Sequence, residues 1–102
     1  MHERVRERLT EIQRLCRELG VRRLDLFGSA ADGTFDPGTS DVDVLVEFVD
    51  RADLDRFGAY FALKEGLEDL LGRPVDVIVA SAMRNPYVRE QVMRTRQSLY
   101  AA

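Results

Sequence analysis

The sequence predicts an α/β (α+β) fold, a small mixed β-sheet flanked by helices, and three observations predict it. Two long segments place apolar residues three and four apart, the spacing of an amphipathic helix. Three short runs rich in valine and leucine read as strands. Helical and strand segments interleave along 102 residues with no repeat, low-complexity tract or linker, so one domain spanning 1–102 is expected.

The elements follow in order. Residues 3–19 carry Val5, Leu9, Ile12, Leu15, Cys16 and Leu19 on one face, and Gly20 stands where a helix usually ends. Residues 24–27 form a short apolar strand interrupted by Asp25 and broken by Gly28. Residues 29–33 suit a short helix with Ser29 as its N-cap, and residues 34–40 are rich in turn formers. Val42, Val44, Val46 and Phe48 alternate with other residues and mark a second strand. Residues 52–71 predict a long helix whose buried stripe is Leu54, Phe57, Phe61, Leu67 and Leu70 or Leu71, capped by Gly72. Residues 75–79 are a third strand, residues 81–86 a turn, and residues 87–99 a last helix with Val88, Val92 and Leu99.

Composition removes several classes of function. The formal charge is −3, whereas holders of long nucleic acid usually show a basic excess, so no long nucleic acid is expected as partner. The single cysteine excludes an intrachain disulfide and fits a reducing cytoplasm. In its helical pattern Cys16 reads as core filler. One histidine, His2 near the terminus, leaves no basis for a Cys/His zinc site or a Ser-His-Asp triad. No apolar run approaches the ~20 residues that span a bilayer, and the N-terminus lacks the apolar core of a signal peptide, so no membrane partner is expected.

The chemistry concentrates in Gly28-Ser29, Asp41-Val42-Asp43 and Asp76. Residues two apart on a strand point to one face, so Asp41 and Asp43 project side by side, about 7 Å apart along the backbone. Two such carboxylates repel each other, and a divalent cation relieves the repulsion. Mg²⁺ prefers oxygen ligands and is commonly held by a few carboxylates together with substrate phosphates. Asp76, on another strand, completes a set for two ions, the arrangement that stabilises both oxygens of an in-line displacement at phosphorus. Gly28 permits close backbone approach, and free N–H groups after it favour a polyphosphate, with the Ser29 hydroxyl adding a hydrogen bond. Taken singly, each feature has an ordinary reading as a turn glycine or a solvent-facing aspartate. Their joint order along the chain is what points to phosphoryl chemistry.

With these residues in hand, the chain resembles the minimal nucleotidyltransferases of the DNA polymerase β-like superfamily, and in particular the MNT antitoxins of HEPN/MNT toxin–antitoxin pairs. The resemblance rests on Leu26-Phe27-Gly28-Ser29-Ala30-Ala31-Asp32-Gly33, on Ser40-Asp41-Val42-Asp43-Val44-Leu45-Val46 and on Leu70-Leu71-Gly72-Arg73-Pro74-Val75-Asp76-Val77. Arg84-Asn85-Pro86-Tyr87 and Leu99-Tyr100 extend it over nearly the whole chain. It implies the polymerase β-like nucleotidyltransferase fold. It implies that Gly28 and Ser29 contact the nucleotide and that Asp41, Asp43 and Asp76 are the catalytic, metal-holding carboxylates. Asp76 would also help deprotonate the acceptor. The implied donor is ATP with two Mg²⁺ ions, and the implied acceptor is a tyrosine hydroxyl on a partner HEPN RNase toxin. Many members carry arginine where this chain has Asp32, and a carboxylate there repels a triphosphate unless it points away.

Two other functions stay in view. One is an antitoxin that inhibits its toxin by binding alone. The other is a nucleotidyltransferase acting on a small molecule, as aminoglycoside-modifying enzymes do, although 102 residues leave little room for the extra helices of those enzymes. Arg84, Arg89, Arg94 and Arg96 read as a solvated face of the last helix, and Tyr60 and Tyr87 as packing residues.

Overall fold

A computed structural model describes residues 3–27, 42–80 and 86–102. The elements are α1 (Glu3–Glu7), α2 (Leu9–Glu18), β1 (Val21–Phe27), β2 (Val42–Phe48), α3 (Arg56–Leu71), β3 (Val75–Val79), α4 (Pro86–Thr95) and β4 (Gln97–Ala101). The strands form one sheet in the order β3-β2-β1-β4. β1 runs antiparallel to both β2 and β4, and β2 runs parallel to β3, so the sheet is mixed as expected. The parallel pair requires a crossover, which α3 supplies.

Alternation sorts the strands into two faces. Leu24 and Leu26 of β1, Val42, Val44 and Val46 of β2, and Val75 and Val77 of β3 are buried on one face. Against it pack Val5 of α1, Ile12 and Cys16 of α2, and Leu63, Leu67 and Leu71 of α3. Burial of this apolar surface is the main term holding the layers together.

The helix expected over residues 3–19 is broken at Arg8, whose N–H donates to the Val5 carbonyl at 3.2 Å before α2 begins. No glycine or proline marks that break. Val5 stays buried, so the apolar face continues across it. Gly20 and Gly72 end their helices with φ of 73° and 68°, the left-handed region in which a side chain is disfavoured. The Arg4 guanidinium donates to the Leu71 carbonyl and satisfies one of the last acceptors of α3.

Three expectations are corrected. The long helix begins at Arg56 rather than near residue 52, because Asp55 caps it by accepting from the Gly58 N–H at 3.0 Å. Its buried stripe is Ala59, Leu63, Leu67 and Leu71, a strict four-residue row that turns Phe57 and Phe61 outward. The last helix stops at Thr95, and Leu99 belongs to β4. Pairing of β4 with the open edge of β1 overrides the helical spacing, and Gln13 of α2 donates to the Leu99 carbonyl to hold the strand in place. The expected short helix at 29–33, the loop to Ser40 and residues 81–85 of the turn expected at 81–86 lie outside the described residues, and Pro86 opens the last helix.

Candidate active site

The sheet face opposite α1, α2 and α3 carries the acidic residues. In the parallel ladder Asp43 is the direct partner of Asp76, and across β1 it pairs with Phe27. Asp43 is half-buried and Asp76 exposed, while their neighbours Val42, Val44, Val75 and Val77 are buried on the opposite face. Adjacent strands lie about 4.8 Å apart, so the two carboxylates stand side by side on one surface. Gly28, Ser29, Asp32 and Asp41 lie outside the described residues. Asp41 precedes β2, and Gly28 follows Phe27, the last residue of β1. The described chain therefore stops beside Asp43 at both ends of segment 28–41.

The donor chemistry suits Mg²⁺. Both side chains offer hard oxygen, which that ion prefers. Among the described residues, the soft ligand Cys16 is enclosed in the core, and burial pushes its thiol up to about 12. Among the described residues no group of three or more His, Cys, Asp or Glu is gathered to hold a metal, so Asp43 and Asp76 are the described part of the expected trio.

α3 fixes the strand that bears Asp76. β3 is an edge strand, and the outward backbone groups of Val75 and Val77 need partners. Tyr60, Lys64 and Glu68, spaced four apart on α3, provide them. The Tyr60 hydroxyl donates to the Val77 carbonyl at 3.0 Å, Lys64 Nζ donates to the Val75 carbonyl at 2.7 Å, and the Val75 N–H donates to Glu68 Oε2 at 3.0 Å. Lys64 also donates to Glu68 at 3.1 Å. The bond from Val75, with that from Lys64, holds the Glu68 carboxyl below the usual glutamate range. Tyr60 is thus the half-buried packing residue expected, whereas Tyr87 is 79% exposed and is not.

Sequence reasoning missed Asp25. It is 1% exposed on β1 and lies on the same face as Asp43 and Asp76. Its Oδ2 meets Arg23 Nε at 3.0 Å and an Arg96 guanidinium nitrogen at 3.5 Å. Arg96, expected on a solvated helix face, instead sits just before β4 with a side chain only 28% exposed. An acidic residue inside an apolar run was the available signal, since a buried carboxylate must be paired. A groove of about 400 Å³ lined by Phe48, Arg56, Phe57, Tyr60 and Val79 opens at the other end of β2 and β3, away from the carboxylates.

Comparison with known proteins gives this arrangement its family. The model of the family described as "Nucleotidyltransferase domain" matches residues 9–99. The chain belongs to that family. Protein adenylyltransferase MntA of Thermococcus cleftensis is 37% identical over 84 residues, 81% of each chain. A solved structure provisionally assigned as a minimal nucleotidyltransferase is 35% identical, with a TM-score of 0.77 over 95% of each chain. A chain from a toxin–antitoxin crystal structure with AMP-PNP is 26% identical, with a TM-score of 0.70 over 92% of this chain and 73% of that one. The nucleotidyltransferase fold and family expected from the sequence are therefore borne out.

Among the described residues no helix is long and apolar enough to cross a membrane.

Proposed function

We propose that this nucleotidyltransferase is the antitoxin of a toxin–antitoxin pair, and that it transfers AMP from ATP to a tyrosine hydroxyl of a cognate HEPN RNase toxin in the cytoplasm. The observation that carries the reading is the pairing of half-buried Asp43 with exposed Asp76 on one face of the sheet. The likeness to an adenylyltransferase and to a toxin–antitoxin structure with an ATP analogue supports the donor and the kind of partner. One minimal domain, 1–102, performs both parts of the task.

Asp41, Asp43 and Asp76 would hold two Mg²⁺ ions, and Gly28 with Ser29 would contact the triphosphate. When bound, the ions neutralise charge on the attacking and leaving oxygens. The chain's own residues do the rest. Asp76, exposed at the rim, faces the incoming acceptor and takes the proton of its hydroxyl. The hydroxyl oxygen bonds to the α-phosphorus, the bond from that phosphorus to the oxygen bridging to the β-phosphate breaks, and pyrophosphate leaves. The ladder with β2 and the contacts from α3 keep Asp76 in place, so little reorganisation accompanies reaction.

The test is incubation of the chain and its toxin with α-labelled ATP and Mg²⁺. Label enters the toxin with the wild type and not with the Asp41→Ala/Asp43→Ala variant. Equal labelling by both overturns the mechanism. A variant that no longer labels yet still protects cells makes the protein an inhibitor by binding alone.

A further inference from the structure

The segment that carries Gly28 and Ser29, residues 28–41, contains Asp32, Asp36 and Asp41 and neither lysine nor arginine. Any cationic side chain that meets a triphosphate there, in addition to the metal ions that offset Asp43 and Asp76, comes from elsewhere in the chain. The described structure offers cations on the same face. Asp25 is a buried carboxylate with two guanidinium partners, Arg23 and Arg96, so the cluster carries a net positive charge.

Arg96 is the better placed of the two. Gln97 pairs with Leu26, and the antiparallel register puts Arg96, one residue earlier, level with Phe27. Phe27 pairs with Asp43, and Asp43 with Asp76. One row across the sheet reads Asp76, Asp43 and Phe27, and Arg96, just before β4, continues the line of that row. The end of β1, from which Gly28 departs, is flanked by the carboxylates on one side and by Arg96 on the other. Arg96 lies two strand spacings from Asp43, roughly 10 Å. Arg23 pairs with Glu47 at the opposite end of β2 and is further off.

We propose that Arg96 binds the polyphosphate of the nucleoside triphosphate and that buried Asp25 is the positioning residue that holds it there. The inference rests on the nucleotidyltransferase reading given above. A guanidinium suits the task because its planar fork leaves further N–H donors for phosphate oxygens while one points at Asp25. Because Asp25 sits on the interior strand β1 and Arg96 precedes the edge strand β4, the contact also ties the cation to the middle of the sheet.

The experiment measures affinity for a non-hydrolysable ATP analogue, ADP and AMP by calorimetry in Mg²⁺, alongside KM and kcat for AMP transfer. Arg96→Gln keeps a donor for Asp25 and removes the charge. It is expected to weaken the triphosphate analogue about tenfold, to leave AMP nearly unchanged, and to raise KM for ATP more than it lowers kcat. Arg96→Lys restores most of the loss. Asp25→Asn reproduces the same dependence on phosphate number, which a purely structural role would not. If either single variant fails to fold, the Asp25→Asn/Arg96→Gln pair removes the buried charge and its partner together. A folded Arg96→Gln or paired variant that binds the triphosphate analogue as tightly as wild type overturns the proposal. A wild type that binds the analogue but transfers no AMP defeats the reading of the function while the affinity ratio still decides the role of Arg96. A wild type that binds no nucleotide defeats both.

Discussion

Asp43 and Asp76 are direct partners across a parallel ladder, at the second position of their respective strands. Like charges so placed disfavour the folded sheet, and a cation between them reverses that penalty. Two carboxylates in register on one face are the feature on which the proposed metal site rests.

Replacement of either carboxylate is therefore expected to separate activity from stability. Asp43→Asn and Asp76→Asn lose AMP transfer by at least about a hundredfold, and their melting temperatures in metal-free buffer stay level or rise. Chelation by EDTA stops transfer by the wild type, and added Mg²⁺ restores it. Labelled-ATP assays with thermal melts check this, and an Asp76→Asn variant with wild-type rate contradicts the role given to that residue.

The clamp on β3 has a pH signature. The Glu68 carboxyl sits below the usual glutamate range because the Val75 N–H and Lys64 donate to it. A carboxyl that is harder to protonate when folded stabilises the fold fully above its unfolded pKa, and the contribution is lost as pH falls through the folded value. The stability difference between wild type and Glu68→Gln is thus expected to be constant above about pH 5 and to shrink below about pH 4. Urea titrations across that range measure it, and a difference independent of pH argues against the clamp.

Cys16 is expected to be inert in the folded chain. Burial raises its thiol to about 12, so almost no thiolate exists at neutral pH. A thiol-reactive dye should label it only at the rate of unfolding, with full labelling in denaturant. Rapid labelling under native conditions contradicts its enclosure against α3 and the sheet.

Phe57 and Leu67 lie on one helix and should behave oppositely. Phe57 is 76% exposed and Leu67 fully buried. Phe57→Ser is expected to change stability by no more than about 0.5 kcal/mol, whereas Leu67→Ala costs about 3 kcal/mol. Chemical denaturation distinguishes them, and a large loss in Phe57→Ser shows that its ring is covered in solution.

These two residues also show how far the sequence could be read. Both fit a helical stripe, and spacing alone does not choose between two overlapping faces of α3, so the expected stripe takes in Phe57 and Phe61 beside Leu67 and omits Ala59 and Leu63. The strands β2 and β3 were legible because valine alternation and the period of two agree. Alternation set the face of each aspartate, whereas the pairing of Asp43 with Asp76 depends on strand order and register, which the pattern does not carry. β4 was not legible. Only the open edge of β1, which is a tertiary feature, selects a strand over a continued helix at Gln97. With β4 unseen, the contact between Arg96 and Asp25 was out of reach as well, because its partners are 71 residues apart.

The row Tyr60, Lys64 and Glu68 has a consequence beyond holding Asp76. By occupying the outer amide and carbonyl of Val75 and the carbonyl of Val77, it takes up the first half of that margin of the sheet. A partner chain that extended the sheet there would have to displace side chains of α3 from Val75, so that half of the border is guarded against edge-to-edge pairing.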